Sequence, residues 1–226
     1  MDRQGKRPVP RFEKLDGVFF DLDGTLIDSS KDIATAANYA LKKLGFSSLP
    51  EEEIVKHVGY GGERLMKGLL PVDDEETLKQ AVKIFREYYF SNPVVYTKPY
   101  KGIPQLLQKL KKEKKQIAVI TNKYEDISNQ ILEKLGLLEY IDLVLGGDSV
   151  KNKKPHPEPV LKAQETLQTQ NSVMVGDSET DINAAKGANI PAILVEYGFG
   201  NKELALQAKP DFIASSVSQL EELLCG

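Results

Sequence analysis

Short apolar runs punctuate the chain, each ending abruptly in polar or turn residues. They are Val18-Phe19-Phe20, Ile117-Ala118-Val119-Ile120, Leu143-Val144-Leu145, Val173-Met174-Val175 and Ala192-Ile193-Leu194-Val195, with a weaker one at Phe212-Ile213. Rich in β-branched and aromatic residues and not alternating with polar ones, they read as strands buried on both faces. Between them apolar residues recur with the helical period. Ile103, Leu106, Leu107 and Leu110 form one stripe, and Ile127, Ile131, Leu132 and Leu135 form a second that stops at Gly136. Strand alternating with helix predicts an α/β fold, a doubly wound parallel sheet with helices on both faces.

One stretch breaks the rhythm. Residues 29–97 carry helical stripes and no convincing strand: Ile33, Ala37, Ala40, Leu41 and Leu44 end at Gly45, and Leu78, Val82, Phe85 and Tyr89 end before Asn92-Pro93. The chain therefore divides into an α/β core of residues 15–28 and 98–226, an all-helical cap of residues 29–97 inserted where the first strand ends, and a flexible N-terminal arm of residues 1–14. Inserted there, the cap is expected to sit over the edge of the sheet.

Composition narrows the functional class. At 41% hydrophobic and 28% charged residues the chain is an ordinary globular protein. Thirty Lys+Arg against 33 Asp+Glu leave a net charge of −3, no excess of positive charge for a nucleic-acid partner. The Lys-rich segment Lys109–Lys115 fits the solvated face of an amphipathic helix. No apolar run approaches the roughly 18 residues of a membrane span. The basic start lacks the apolar segment of a signal peptide, and the single cysteine, Cys225, allows no internal disulfide or Cys-rich zinc site. A cytoplasmic protein without a membrane partner is expected, with monomer and homodimer both left open.

The chemistry gathers at strand ends. Asp21 and Asp23 follow the first strand, Thr121-Asn122 the second and Asp177 the fourth. With the doubly wound order 3-2-1-4-5-6, strands one, two and four are neighbours across the switch point, where ligands bind outside the carboxyl ends. Residues i and i+2 of an extended segment point the same way, so Asp21 and Asp23 share the crevice. Carboxylates this close repel unless a cation joins them, and an all-oxygen site with room for water suits Mg²⁺. Gly24 lets the chain turn away and frees main-chain N–H groups for an anion. Lys154, before Pro155, brings one positive charge to the same place. Taken alone, Asp-Leu-Asp-Gly-Thr is equally an acidic turn, and Gly176–Asp181 is equally a helix cap. Their joint placement is what marks a site. Gly59, Gly61 and Gly62 precede a helical pattern through Leu65, Leu69 and Leu70. They read either as a tight turn or as an anion site of exposed N–H groups at a helix start, with Arg64 adding charge.

At these residues the sequence resembles the haloacid-dehalogenase superfamily of aspartate-dependent phosphatases. The matching motifs, in the family's order, are Asp21–Thr25 (DLDGT), Thr121-Asn122, Lys154-Pro155 and Gly176–Asp181 (GDSETD). The stretches ITNKYED, GGDSVKNKKPHPEP and VGDSETDINAAKGA are most similar to the phosphoglycolate phosphatases. The resemblance implies a nucleophile at Asp21 and a general acid and base at Asp23. It implies Mg²⁺ held by Asp21, Asp177 and the main-chain carbonyl of Asp23, and phosphoryl oxygens held by Thr121 and Asn122. It further implies that Lys154 neutralises charge and that Asp181 orients Lys154 or a metal-bound water. The substrate so implied is a small phosphorylated metabolite, 2-phosphoglycolate, whose carboxylate would meet Gly61 and Arg64. Other readings stand beside it: a broader small-phosphate hydrolase, a pyrophosphatase, a phosphonatase drawing an imine-forming lysine from Lys56 or Lys67, or a phospho-aspartate signalling module.

Overall fold

The computed structural model of the chain describes residues 15–225; the arm assigned to residues 1–14 lies outside the described residues. The strands are β1 (Gly17–Phe20), β2 (Ile27–Asp28), β3 (Lys98–Pro99), β4 (Gln116–Ile120), β5 (Leu143–Leu145), β6 (Ser172–Gly176), β7 (Ala192–Val195) and β8 (Phe212–Ala214). The helices are α1 (Ser30–Lys43), α2 (Glu51–Val55), α3 (Gly62–Leu69), α4 (Glu75–Ser91), α5 (Ile103–Lys112), α6 (Glu125–Lys134), α7 (Glu158–Leu167), α8 (Glu179–Gly187), α9 (Lys202–Gln207) and α10 (Val217–Cys225).

Six strands form one sheet in the order β5-β4-β1-β6-β7-β8, every pair parallel. Numbered within that sheet the order is 3-2-1-4-5-6, the doubly wound order on which the strand-end reading rests. Alternate residues sort onto two faces. Val18, Phe20, Ile117, Val119, Val173 and Val175 pack with Leu106 and Leu110 of α5, Ile131 of α6 and Leu220 of α10. Phe19, Ala118, Ile120, Met174 and Leu194 pack with Val160 of α7, Ala184 and Ala185 of α8, and Ala205 of α9. With both faces covered, the central strands β1, β4, β6 and β7 have no solvent side on which to place polar residues.

Helices α1 to α4 lie between β2 and β3, which pair antiparallel with Ile27 opposite Pro99 and Asp28 opposite Lys98. The apolar pattern does not announce this ribbon, because strands of two residues carry no period. The returning chain is fixed by Asp32 of α1, whose buried carboxylate accepts the main-chain N–H groups of Val95, Tyr96 and Thr97 and the Thr97 hydroxyl. Ring stacking of Tyr39 on Tyr88, centroids 4.3 Å apart, joins α1 to α4. Apolar residues of α1, α3 and α4 continue the hydrophobic cluster on the first face of the sheet. Among the described residues, no helix is long and apolar enough to cross a membrane.

Candidate active site

The register of the sheet builds the site. Phe20 of β1 is level with Val119 of β4 and Val175 of β6. Asp21 therefore leaves β1 one residue before Thr121 and Asp177 leave the flanking strands, and the three emerge side by side at the carboxyl edge. The Asp21 N–H still donates to Val175 O, at 2.9 Å. Beyond it the chain turns through Gly24 (φ +80°), where a Cβ atom would stand 1.9 Å from Asp177 Oδ2. Glycine is required here for close approach. The expectation that Gly24 frees its own N–H for an anion is corrected: that group donates to Ile27 O, at 2.9 Å.

Lys154 lies beneath Asp21, almost fully buried, at the cis peptide bond that joins it to Pro155. Its Nζ is 2.9 Å from Asp21 Oδ1 and 2.6 Å from Asp181 Oδ1, and it donates to Ile120 O at 2.5 Å. Burial alone would lower the pKa of this ammonium, but Asp181 and Asp21 more than offset it and the pKa is raised. Asp181, fully buried on α8, also receives the Ser178 N–H and hydroxyl on Oδ2, so it serves both as capping partner and as counter-ion. The helix-cap reading of Gly176–Asp181 thus holds, and the capping carboxylate is also the counter-ion of Lys154.

Oxygens of Asp21, Asp177 and Asp181 all lie within 4.8 Å of one another. Burial, aided by Asp181, pushes Asp21 up to about 7 although Lys154 opposes it. Burial and the neighbouring Asp21 raise Asp177 well above the usual carboxylate range. Three buried carboxylates against one ammonium leave negative charge that a divalent cation would balance. The oxygens open to it are also defined. Both Asp181 oxygens are engaged, and Asp177 Oδ2 accepts the N–H groups of Phe199 and Gly200 at 3.1 and 2.8 Å. Among the described residues, Asp21 Oδ2 and Asp177 Oδ1 carry no hydrogen bond. Hard carboxylate donors of this kind fit Mg²⁺.

Asp21, Asp23, Thr121, Asn122 and Asp177 line the floor of a cavity roofed by the inserted helices. Its upper wall is largely apolar, with Ile33, Leu65, Val82, Phe85, Tyr89 and Phe90. The Gly59–Gly62 loop is docked on the core: the Asn122 amide donates to Gly59 O and Lys154 O at 2.7 and 2.9 Å, and the Tyr60 hydroxyl donates to Glu179 at 2.5 Å. The Asn122 donors expected for a phosphoryl group are therefore engaged here, and its buried Oδ1 has no partner among the described residues. Gly61 (φ +91°) lines the cavity just before α3; a Cβ there would be 3.0 Å from both Asn122 O and Lys153 Nζ. Arg64 lies outside that lining, exposed and stacked 4.4 Å from the Tyr60 ring centroid. The arginine in the wall is Arg86 of α4, held over Tyr124 at 4.2 Å. Lys56 pairs with Glu53 on the surface, and Lys67 lines a separate groove, so neither presents an amine to the cavity.

Three groups of the site carry no separate motif. Lys123 Nζ is 3.0 Å from Asp23 Oδ2, the Ser29 hydroxyl donates to Asp23 Oδ1 at 2.5 Å, and Arg86 faces the cavity. For Lys123 the available signal was its place directly after Thr121-Asn122 at a strand end.

A model of the haloacid dehalogenase-like hydrolases matches residues 18–195, most of the chain and every element that carries the site. The chain belongs to this family. It is 41% identical over 209 residues to a phosphoglycolate phosphatase of Aquifex aeolicus, covering 92% of this chain and 95% of that protein. With a phosphoglycolate phosphatase of Neisseria meningitidis it shares 39% identity over 94% of each chain. A crystal structure described as a predicted phosphoglycolate phosphatase of Haemophilus somnus superposes with a TM-score of 0.88 at 28% identity, covering 93% of this chain and 98% of that one. This haloacid dehalogenase-like chain is therefore a hydrolase, and it shares the fold of that crystal structure over 93% of its length.

Proposed function

We propose that the protein is a Mg²⁺-dependent phosphate-monoester hydrolase acting on 2-phosphoglycolate through an aspartyl-phosphate. The observation that carries this reading is Asp21: one oxygen is fixed by Lys154 at 2.9 Å, the other has no hydrogen-bond partner among the described residues, and the residue lines the cavity. An Asp21 oxygen attacks phosphorus, the ester P–O bond breaks, and the leaving alkoxide takes a proton from Asp23. Water then attacks phosphorus, Asp23 takes its proton, and inorganic phosphate leaves Asp21 free again. Thr121 contributes a hydroxyl to the phosphoryl oxygens. Asn122 joins it only if cap motion releases its amide from Gly59. Lys154 offsets the charge of Asp21 and phosphate, with Asp181 holding it in place. Asp21, Asp177 and the Asp23 main-chain carbonyl are the groups that would hold Mg²⁺, whose charge balances the carboxylates and the phosphate.

The helices of residues 29–97 act in this reading as a cap closing over the crevice and excluding water. The substrate carboxylate meets the N–H groups at Gly61, at the start of α3, and Arg64 adds charge once it leaves the Tyr60 ring. The relatives' names support the choice of phosphoglycolate. The largely apolar upper wall favours a second reading, a broader small-phosphate hydrolase. Gly61→Val separates the two. It adds bulk 3.0 Å from Asn122 O at a left-handed φ, so kcat/KM should fall strongly for 2-phosphoglycolate and much less for p-nitrophenyl phosphate, which lacks the carboxylate. If both fall equally, or if the wild type shows no preference for 2-phosphoglycolate among small phosphate esters, the broader reading replaces the first.

A further inference from the structure

The carboxylate of Asp23 is held from two sides, and one holder is carried by the inserted helices. Oδ1 accepts the Ser29 hydroxyl at 2.5 Å, and Oδ2 pairs with Lys123 Nζ at 3.0 Å. The Lys123 and Asp23 side chains are only 10% and 11% exposed, so water screens this pair little. Lys123 Nζ also donates to the Tyr89 hydroxyl at 2.9 Å and lies 4.3 Å from the centre of the Tyr89 ring. Tyr89 belongs to α4, is buried, and stacks on Phe85 of the same helix. A chain of direct contacts therefore runs from α4, through a lysine just beyond β4, to the acidic side chain two residues past Asp21.

Ser29 gives an independent pointer to Asp23. It occupies the N-cap position of α1, where a serine side chain ordinarily accepts an N–H of the first helical turn. Here it makes no cap bond and turns its hydroxyl to Asp23. A residue that gives up its local role for a distant partner marks a place where orientation is held at the expense of local stability.

We propose that Lys123 is a positioning residue for Asp23, and that Tyr89 makes this positioning depend on the docking of α4. With α4 in place, the Tyr89 hydroxyl and ring hold the ammonium against Oδ2. With α4 displaced, Lys123 loses the Tyr89 hydroxyl and ring, and its ammonium is no longer fixed against Asp23 Oδ2. Proton transfer to the leaving group is then efficient only under a closed roof. This inference rests on the reading of Asp23 as the acid for the departing alkoxide.

The test uses two leaving groups on the full chain loaded with Mg²⁺. An alkyl phosphate (2-phosphoglycolate, or whichever small alkyl ester the wild type turns over fastest) expels a strongly basic alkoxide and needs the proton. p-Nitrophenyl phosphate expels a weakly basic phenolate and needs it far less. Lys123→Met keeps the length of the side chain and removes its charge. Its kcat on the alkyl ester should fall by about 10²–10³, within the range of general-acid contributions, with KM little changed, while kcat on p-nitrophenyl phosphate falls less than about fivefold. Tyr89→Phe, which removes only the hydroxyl, should act in the same direction by roughly tenfold, and Lys123→Arg should recover part of the loss, as expected of a charged hydrogen bond to a carboxylate. Equal losses on both substrates in Lys123→Met would mean a structural role and would overturn the proposal. Asp23→Asn is the control. If it separates the two substrates and Lys123→Met does not, the positioning role fails alone. If Asp23→Asn does not separate them either, the acid assignment fails and the positioning role fails with it.

Discussion

Replacing Lys154 by methionine removes one charge from the most enclosed part of the site at nearly constant volume. The lysine is 2% exposed and is the ammonium shared by Asp21 and Asp181. Without it, two carboxylate oxygens and the Ile120 carbonyl lose their donor in a place water does not reach. Breaking a buried ion pair from one side costs about 3–5 kcal/mol. At this chain length each kcal/mol moves the unfolding midpoint by roughly 2–4 °C, so a fall of about 6–20 °C is expected in EDTA at pH 8. The deficit should depend on pH with a definite sign. Asp21 already stands at about 7 with the lysine present, and losing the lysine raises it further. Acidification to pH 6 protonates the carboxyl, which then no longer needs a cation, and the deficit narrows. Scanning calorimetry of both proteins at the two pH values, with turnover measured in Mg²⁺, is the assay. Turnover should fall by about 10²–10³, the usual cost of losing one preorganised electrostatic partner. A midpoint within about 2 °C of wild type at pH 8, or a deficit that widens on acidification, would refute the account of the buried charges.

The same charge balance makes further predictions. In metal-free wild type, the raised pKa of Asp21 contributes stability that is present at low pH and lost as pH rises through about 7; the midpoint should fall from pH 6 to pH 8, and Mg²⁺ should flatten that slope. Asp21→Asn should abolish turnover while raising the metal-free midpoint at pH 8 by a few degrees, since it removes a buried charge; near-wild-type rates would end the covalent mechanism. EDTA should silence the enzyme, Mg²⁺ should restore it and Ca²⁺ should restore it poorly, because its looser coordination misplaces the in-line geometry; full activity in EDTA would exclude the site as described. Gly24→Ala should cost on the order of 1–3 kcal/mol from its left-handed φ alone and also weaken Mg²⁺ binding, read by titration calorimetry, because its Cβ would stand 1.9 Å from Asp177 Oδ2.

The strands of the sheet were legible in the chain because strands covered on both faces must be apolar throughout; their order came from the doubly wound expectation and not from the runs. Runs such as Val173–Val175 therefore stand out without any knowledge of their neighbours. The helical stripes were legible for the same reason, a burial pattern written with a local period. Once the order is known, the acids at strand ends converge of necessity, and so Asp21, Thr121 and Asp177 could be placed in one crevice from sequence. The β2–β3 ribbon could not, since two residues carry no period.

What only the tertiary structure decided is which polar group satisfies which. Asn122 faces the crevice region as expected, yet its amide holds Gly59 and Lys154. Asp181 serves as helix cap and counter-ion at once. Arg64 lies on Tyr60 outside the cavity lining, while Arg86, unmarked by any motif, lines the cavity. Ser29, at the start of the inserted segment, and Lys123, just beyond β4, meet at Asp23. Apolar burial follows the local period of the chain, whereas a hydrogen bond or ion pair depends on placement to within a few tenths of an ångström between residues far apart in sequence. The pattern of residues therefore determines where the core lies and which acids gather at its edge, and the packed fold alone assigns each of those acids its partner.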